Sequence, residues 1–387
     1  MAGAEAGLPL NDDFNGAAQE RIRRYGFNIR KGRRWSAAAA FLNPAKQRSN
    51  LRIETEALVI GLTFDDSGVR GLRYRQRGRE VTVRARRAVI PSGGTVKSPQ
   101  LLMLSSIGPA AHLAGQGIAL RAELPGVGQN LRDHVDCVLS WEYLQPITLY
   151  RDLRANRLTL SMLQKILFGS GIVTTFPYQA DVFLRTHPGF ATPDVQLHFI
   201  PAFEKTANLN FPNPFRRDKV EANHGCSIRA RPVDPASRDA IKLASADPAR
   251  PPKVSPNDLA DPFDIRTTIT AIRKTRDIVA QAALAPYRGT ELYRGTELAP
   301  AAAVDSDAVL ENSLRATAMT TLHPVGTCKM GITGEPMAVC DASLRRQLSG
   351  PRQGAGNRDA DVCGPHRLHP DRCRGDRFRH HRHRPGR

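Results

Sequence analysis

The amino-acid sequence predicts a mixed fold, α/β with α+β, built from strands and helices. Two patterns carry this prediction. Residues 50–91 alternate apolar and polar side chains in short runs broken by turn signals, which is typical of strands. From Asp264 onward, apolar residues recur at helical spacing. The 387 residues suffice for two domains of ordinary size, or for one domain with a large insertion.

The first predicted element is a meander of strands. The turns "DDSG" and "RGRE" divide it, and a more buried strand is predicted at Ala88 to Pro91. A helix should follow in "GGTVKSPQLLMLSSIGP", with Ser98 as its cap, Pro99 as its first residue and a stop at residues 107–109. A strand, a glycine turn and a helix N-terminus can receive an anionic cofactor group, but most turns of this kind are only connections.

The middle of the chain predicts further helices and strands. "LTLSMLQKILFG" reads as a helix with its apolar residues in the core, and "TTFPYQADVFLRT" and "DVQLHFIPAF" alternate like strands. The core residues predicted for this helix are Leu158, Met162, Leu163, Ile166 and Leu167. The hexapeptide "YRGTEL" then occurs twice in tandem, at 287–292 and 293–298, and the extra copy is expected to form a loop without a function of its own.

The formal net charge of +19 is unevenly distributed. Residues 341–387 contain 12 Arg and 5 Asp, a net +7, so the remaining chain is only moderately basic. The segment 344–387 has few large apolar residues and is expected to be a disordered Arg/His-rich tail. Three interpretations of this tail are open: a nucleic-acid-binding segment, an adventitious metal site at "HHRH" and an out-of-frame translation. The tail has one aromatic residue and no standard zinc spacing. An out-of-frame translation is favoured, because GC-rich coding DNA read in a wrong frame tends to yield Arg, Gly, Pro, Ala and His.

Composition restricts the class of protein. Hydrophobic residues make up 41% and charged residues 24%, which is ordinary for a globular chain. The six cysteines include no CxxC pair, so neither a disulfide framework nor a metal site is expected. No apolar run approaches the roughly 20 residues that span a bilayer, and a cytoplasmic protein without a transmembrane segment or nucleic-acid partner is expected.

The motif "HPVGTCKMG", residues 323–331, contains the strongest candidate for chemistry. A neutral imidazole, with an ordinary pKa of about 6.5, can accept a hydroxyl proton as a general base. Gly326 and Gly331 would let the backbone pass close to a flat ring. Taken alone, His323 also fits a structural loop residue. A metal is discounted, because Cys328 has no further ligand nearby in the sequence.

Five stretches together resemble consecutive landmarks of one family. They are "AGLPLNDDFNGAAQE", "NIRKGRRWSAAAAFLNPA", "GGTVKSPQLLMLSSIGP", "LPGVGQNLRDHVD" and "HPVGTCKMG". They look like the glucose-methanol-choline (GMC) oxidoreductases, and most like the choline dehydrogenase and alcohol dehydrogenase branch. The resemblance runs from about residue 6 to about residue 343. One departure is Ser106, which stands where the family usually has Gly.

The resemblance implies a partial Rossmann-type FAD domain and an antiparallel-sheet substrate domain. The implied division is 1–140 for the remainder of the FAD-binding domain, 141–314 for the substrate-binding domain and 315–343 for a return segment with the catalytic histidine. The implied reaction is oxidation of a primary alcohol by hydride transfer to FAD. His323 occupies the catalytic position, and Val59, Ser92 and Gly93 match positions along the cofactor.

Two family landmarks are missing from the sequence. The chain has no GxGxxG turn for the FAD pyrophosphate. The family's C-terminal segment, which carries a second catalytic His or Asn, is also absent, and the Arg-rich tail stands in its place. Two hypotheses therefore stand: an FAD-dependent alcohol or choline dehydrogenase, or a truncated remnant without catalysis. The electron acceptor stays open. So does the alcohol, since no cage for a quaternary ammonium could be assembled from Trp141, Tyr143, Phe176 and Tyr178.

Overall fold

The computed structural model describes residues 1–345, apart from residues 67, 150–151, 153–154, 176, 203–223, 293–305 and 333. Its strands are β1 (Arg21–Arg24), β2 (Ile29–Arg30), β3 (Arg33–Arg34), β4 (Leu58–Asp65), β5 (Gly68–Gln76), β6 (Arg79–Arg84), β7 (Ile107–Gly108), β8 (Ala122–Glu123), β9 (Val135–Tyr143), β10 (Ala180–Leu184), β11 (Val195–Ile200), β12 (Gly225–Pro232), β13 (Ala240–Lys242), β14 (Lys253–Ser255), β15 (Arg288–Leu292) and β16 (Met319–Thr320). Its α-helices are α1 (Ala2–Glu5), α2 (Asn43–Ala45), α3 (Gly94–Leu104), α4 (Ala110–Gly115), α5 (Ala155–Phe168), α6 (Pro262–Ala280) and α7 (Asp307–Thr317).

The chain forms two compact units, each assembled from separated stretches. The first unit contains Met1–Glu56, Gly128–Lys242 and Lys253–Thr327. The second unit contains Ala57–Val127, Leu243–Pro252 and the chain from Cys328 onward. The family resemblance implies domain boundaries at residues 140, 314 and 343. The two units have other boundaries, and the implied domain division stays a prediction.

An antiparallel sheet organises the first unit. Its strand order is β1-β10-β11-β12-β9-β15, and β16 pairs with the start of β9. Because successive residues of a strand face opposite sides, β9 sends Cys137, Leu139 and Trp141 into an apolar core. The opposite face carries polar residues, among them Asp136 and Ser140.

Helix α6 covers the apolar face of this sheet. The side chain of Asp261 caps it, accepting a hydrogen bond of 2.8 Å from the Phe263 N–H, and Pro262 is its first residue. Ile265, Ile269 and Ile272 are buried in the core. The sequence prediction of a helix here is confirmed, with a start at Pro262, two residues earlier than Asp264.

The second unit contains the predicted meander. Strands β4, β5 and β6 form an antiparallel sheet in that order, with Leu62 opposite Leu72 and Leu72 opposite Val83. The predicted buried strand at residues 88–91 was wrong. That segment has no strand pairing, and Ile90 is 62% exposed, although Val89 is buried. A strand needs a neighbour for its backbone groups, and no described strand runs beside this segment.

The helix after the meander begins earlier than the sequence predicted. Helix α3 starts at Gly94, with Gly93 in the N-cap position, so Ser98 is not the cap and Pro99 lies inside the helix. Pro99 has no N–H to donate to the carbonyl four residues earlier, yet the helix continues to Leu104. The stop also comes earlier, at Ser105 and Ser106, because Ser106 has a φ of +67°.

Helix α5 was predicted correctly as a helix, but four of the five apolar residues predicted in the core are exposed, and Leu158 is half-buried. Ile166 and Leu167 are 76% and 61% exposed, and Met162 and Leu163 are about half exposed. Instead, Ser161 is buried and its Oγ accepts a hydrogen bond from the Val173 N–H. The helix therefore turns a polar side toward the protein, which periodicity alone does not reveal.

Two sequence features fall partly or wholly outside the described residues. The first "YRGTEL" copy supplies β15, which pairs with β9. The second copy and the tail from residue 346 lie outside the described residues. Among the residues that are described, no helix combines the length and apolar character needed to cross a bilayer.

Candidate active site around His323

Strand pairing brings two distant motifs together in the first unit. β16 lies antiparallel to the start of β9, with Thr320 opposite Val135. The chain leaves β16 through Leu322, which has a φ of +61°, and so reaches His323 beside the "DH" of residues 133–134. His323 is exposed, and His134 is half-buried.

Asp133 fixes the backbone of both histidines. Its Oδ1 accepts hydrogen bonds from the His134 N–H at 2.8 Å and from the His323 N–H at 2.9 Å. Its Oδ2 accepts a hydrogen bond from the hydroxyl of Thr320. Asp133 is only 8% exposed, so this carboxylate holds the two loops in register from a buried position.

The ring contacts of His134 define the protonation of His323. The Nε2 of His134 lies 2.7 Å from the carbonyl oxygen of Val233, and a carbonyl only accepts, so this Nε2 carries a proton. Burial lowers the pKa of His134 despite this bond, which keeps the ring neutral. Its Nδ1 then has a free lone pair, facing the Nδ1 of His323 at 3.4 Å. A hydrogen bond across this contact requires the proton of neutral His323 on Nδ1, which leaves its Nε2 as the basic atom.

The local backbone explains why residue 326 of the "HPVGTCKMG" motif is a glycine. Its φ is +97°, and a Cβ at this position would overlap the backbone carbonyl of Asn130. The side-chain amide of Asn130 donates to the Gly326 carbonyl at 3.3 Å. Gly331 lies in the second unit, where a Cβ would come within 2.8 Å of the Cβ of Ala338. At both glycines, the space that a Cβ would fill is taken by neighbouring atoms of the protein.

A buried ion cluster continues from this site along the polar face of the sheet. Asp136 is fully buried and lies between Arg229 (Nη1 to Oδ2, 2.9 Å) and Arg231 (Nε to Oδ1, 3.0 Å). Arg231 also lies close enough to His134 to contribute to the lowered pKa of that imidazole. The single carboxylate of Asp136 is thus already matched by two guanidinium groups.

Aromatic residues lie at the far end of the same face. The ring of His198 lies 5.3 Å from that of Tyr25 and 5.2 Å from that of Tyr178. Its Nδ1 is 3.2 Å from a carboxylate oxygen of Asp181. Burial is the main cause that lowers the pKa of His198 and raises the pKa of Tyr25.

The aromatic residues considered for a cation cage do not converge. Trp141 and Tyr143 are 3% and 9% exposed and belong to the apolar core under the sheet. Tyr178 lies instead beside His198, where the guanidinium of Arg229 is 6.0 Å from its ring centre. Phe176 lies outside the described residues.

The residues predicted along the cofactor lie in the second unit. Val59 is half-buried on β4, an edge strand, beside a bulge between Val59 and Gly61. Ser92 and Gly93 are exposed at the start of α3, where no side chain caps the helix. A Cβ at Gly93 would lie 2.9 Å from the Cβ of Lys97. An exposed glycine turn at an uncapped helix N-terminus fits a close-lying anionic cofactor group.

Sequence reasoning missed Asp133 and His134 as functional residues. They stand in "LPGVGQNLRDHVD", a stretch noticed only as a landmark. An acid directly before a histidine was the available signal, but nothing local joins residue 134 to residue 323. Within the described part of the chain, no group of three or more His, Cys, Asp or Glu side chains is arranged to hold a metal ion.

Comparison with family models places the chain among oxidoreductases. Models of the GMC oxidoreductases match residues 1–136 for the N-terminal part and 235–346 for the C-terminal part. The chain is 37% identical over 346 residues to an oxygen-dependent choline dehydrogenase of Brucella suis, covering 89% of this chain and 60% of that protein. It is also 37% identical to the mitochondrial choline dehydrogenase of Homo sapiens, covering 88% of this chain and 55% of that protein. The chain belongs to the GMC oxidoreductase family.

Solved structures agree with this assignment. A pyridoxine 4-oxidase from Mesorbium loti superposes with a TM-score of 0.71 at 26% identity, covering 89% of this chain and 60% of that one. A formate oxidase of Aspergillus oryzae gives a TM-score of 0.77 at 23% identity, covering 89% and 62%, and shows the fold alone. The mixed α/β and α+β fold is confirmed, and the family implies a flavin cofactor. The chain spans about three fifths of the length of these relatives.

Proposed function

We propose that this chain serves the FAD-dependent oxidation of a primary alcohol, choline-like or aliphatic, with His323 as general base. The contact between His134 and His323 carries the proposal, because it leaves the Nε2 of His323 unprotonated in the neutral site. The resemblance to choline dehydrogenases supports the reaction class.

The chemistry required of His323 is a single proton transfer. Its Nε2 accepts the proton of the alcohol hydroxyl while the α-carbon loses a hydride, so the alcohol becomes an aldehyde and gives up two electrons. When bound, FAD supplies the hydride acceptor. Two groups stabilise the positive charge that forms on His323. The lone pair of His134 Nδ1 faces the ring, and the carboxylate of Asp133 accepts a hydrogen bond from the His323 backbone N–H.

Three residues of the second unit are proposed to hold the cofactor. The N-terminal amides of α3, reached through Ser92 and Gly93, suit a negatively charged or electron-rich group. Val59 would contribute main-chain groups, since β4 has one edge outside its sheet. FAD binding by these residues rests on their local geometry and on the family.

The polar face of the first unit bears on the choice of alcohol. Asp136, a natural counter-ion for a quaternary ammonium, is already paired with Arg229 and Arg231. Binding of an uncharged alcohol does not require a free carboxylate, so the pairing of Asp136 does not weaken it. Choline and 3,3-dimethyl-1-butanol have nearly the same shape and differ in charge, so comparing them isolates this electrostatic effect.

The experiment has two stages. The purified chain is first titrated with FAD, following the quenching of flavin fluorescence. The complex is then mixed anaerobically with each alcohol, following bleaching of the oxidised flavin band. We expect saturable FAD binding and alcohol-dependent bleaching that is lost in His323→Asn, while His187→Asn, an exposed histidine elsewhere in the first unit, behaves like the parent.

Failure at either stage has a defined meaning. A chain that binds no FAD contradicts the proposal and supports the truncated, non-catalytic alternative. FAD binding with bleaching that persists in His323→Asn would retain the flavoprotein and remove His323 as the base.

A further inference from the structure

An apolar surface on α5 has no role in the proposed reaction. At about 100° per residue, its five exposed apolar side chains fall on one arc of about 160°. These residues, called here the apolar face of α5, are Leu160, Met162, Leu163, Ile166 and Leu167. Phe168 extends the surface at the end of the helix and is 77% exposed.

The side of α5 that meets the protein carries the buried Ser161 with the half-buried Leu158, Gln164 and Lys165 around it. Ser161 is 4% exposed, and its Oγ accepts a hydrogen bond from the Val173 N–H at 3.2 Å. Burying a serine while exposing three leucines reverses the arrangement of an ordinary surface helix. The energetically favourable partner for the outer side is therefore an apolar phase.

Cationic side chains are clustered at the C-terminal end of this helix. Strands β2 and β3 form a hairpin, called here the basic hairpin, that carries Arg30, Lys31, Arg33 and Arg34, all exposed. Its turn packs on Gly169, the residue that follows α5: a Cβ at Gly32 would overlap the carbonyl of Gly169, and a Cβ at Gly169 would lie 3.2 Å from the Lys31 carbonyl oxygen.

The sequence around the hairpin has an excess of positive charge, although Arg23 pairs with Asp13, Arg52 with Glu54 and Arg157 with Asp152. Residues 21–53 contain ten Lys or Arg and no Asp or Glu, and α5 itself contains Arg157 and Lys165 without an acidic residue. Trp35 follows β3 with its indole under the guanidinium of Arg30 and remains 38% exposed. An apolar helix face, adjacent cations and an interfacial tryptophan are the combination that binds anionic lipid surfaces.

We infer that the apolar face of α5 and the basic hairpin together dock on an anionic lipid bilayer. The apolar side chains enter the boundary between headgroups and acyl chains, and the arginines and lysine contact the lipid phosphates. A nucleic acid would satisfy the cations but not the apolar face. This inference is independent of the proposed oxidation.

Vesicle flotation tests the inference directly. Vesicles of phosphatidylcholine alone, and of phosphatidylcholine with phosphatidylglycerol, are mixed with the full chain and floated through a density gradient, so that aggregates sink while bound protein rises. We expect the chain to rise with the anionic vesicles at low salt. Each cation that contacts the surface should contribute roughly fivefold to binding, and added salt should weaken it.

Matched variants separate the two components. Ile166→Glu should lower flotation at least tenfold, whereas Ile332→Glu should leave it unchanged, because Ile332 is equally exposed, at 79% against 76%, but lies in the second unit. Arg33→Gln combined with Arg34→Gln should lower binding to the anionic vesicles about 25-fold. Circular dichroism of each variant verifies that it is folded like the parent.

Several results would overturn the inference. Equal losses from Ile166→Glu and Ile332→Glu would show a general effect of charge. Absence of flotation in the parent chain would show that another surface, such as a second copy or a further part of a longer protein, covers the face. Release from the vesicles by a short DNA duplex, with Ile166→Glu behaving like the parent, would reassign the basic hairpin to nucleic acid.

Discussion

The Nδ1 atoms of His134 and His323 lie 3.4 Å apart, although 189 positions separate the residues in the chain. Their rings meet edge to face, at an interplanar angle of 73°. Because the Val233 carbonyl fixes the proton of His134 on Nε2, a hydrogen bond within the neutral pair requires the His323 proton on Nδ1.

The tautomer of His323 should depend on His134. In the parent chain, nitrogen NMR of the imidazoles should show an unprotonated Nε2 in neutral His323. In His134→Phe the Nδ1 acceptor is lost, so His323 should return toward the Nε2–H form. His187→Phe serves as the control, and a protonated Nε2 in the parent would refute the assignment of His134 as a positioning residue.

Removal of the Asp133 carboxylate should destabilise the first unit. Asp133→Ala leaves the N–H groups of His134 and His323 and the hydroxyl of Thr320 without this acceptor, at an expected cost of about 3 kcal/mol in the free energy of unfolding. Urea unfolding measures the change. Asp307→Ala, which breaks an exposed ion pair with Arg273, should cost less than about 1 kcal/mol. Equal costs for the two variants would contradict the central role of Asp133.

Two adjacent serines should respond to substitution in opposite directions. Ser106 has a φ of +67°, so Ser106→Gly should stabilise the chain by about 0.5–1 kcal/mol. The Oγ of Ser105 accepts from the Leu62 N–H and donates to the Leu101 carbonyl, so Ser105→Ala should destabilise it by about 1–2 kcal/mol. Thermal unfolding of both variants measures the changes. A loss of stability in Ser106→Gly would show that no strain exists there.

Asp258 should make stability depend on pH. Burial, with repulsion from Asp133 and Asp264, raises the pKa of Asp258 from 3.8 to about 6. The folded state therefore binds this proton more tightly than the unfolded state, and the contribution of Asp258 to stability falls as the pH rises between these values. Above pH 6, the free energy of unfolding of Asp258→Asn should exceed that of the parent by about 1 kcal/mol, after allowance for the partial exposure of the carboxyl. Below about pH 4 the two free energies of unfolding should be equal.

The measurement is the difference in melting temperature between Asp258→Asn and the parent across this pH range. Asp12→Asn, at an exposed position, is the matched control. A constant difference for Asp258→Asn would contradict a raised pKa at this carboxyl.

The sequence predicted correctly those elements in which the spacing of apolar residues alone determines the type of structure. Alternation identified β4, β5 and β6, and the helical spacing of Ile265, Ile269 and Ile272 identified α6. Periodicity identified α5 equally well but could not decide which side faces inward. That depends on the tertiary contact of Ser161 with Val173, which no local pattern contains.

The site was predictable only in part for the same reason. Family resemblance singled out His323, but its partners Asp133 and His134 reach it through the pairing of β16 with β9. The start of α3 was misplaced because Ser98-Pro99 is a strong local start signal, whereas Gly93 and Gly94 set the real one. The positive φ of Ser106 likewise gives a physical reason for the glycine expected there.

The composition of the second unit from separated stretches affects how the chain matures during synthesis. Gly126 packs so closely on the Met337 carbonyl that a Cβ would overlap it, yet Met337 is added about 210 residues later. At ordinary elongation rates, roughly 10–40 s pass between the two events. The early part of the unit, including α3, therefore leaves the ribosome before its partner exists. Its completion is a late step, during which the nascent chain offers chaperones an unfinished apolar surface.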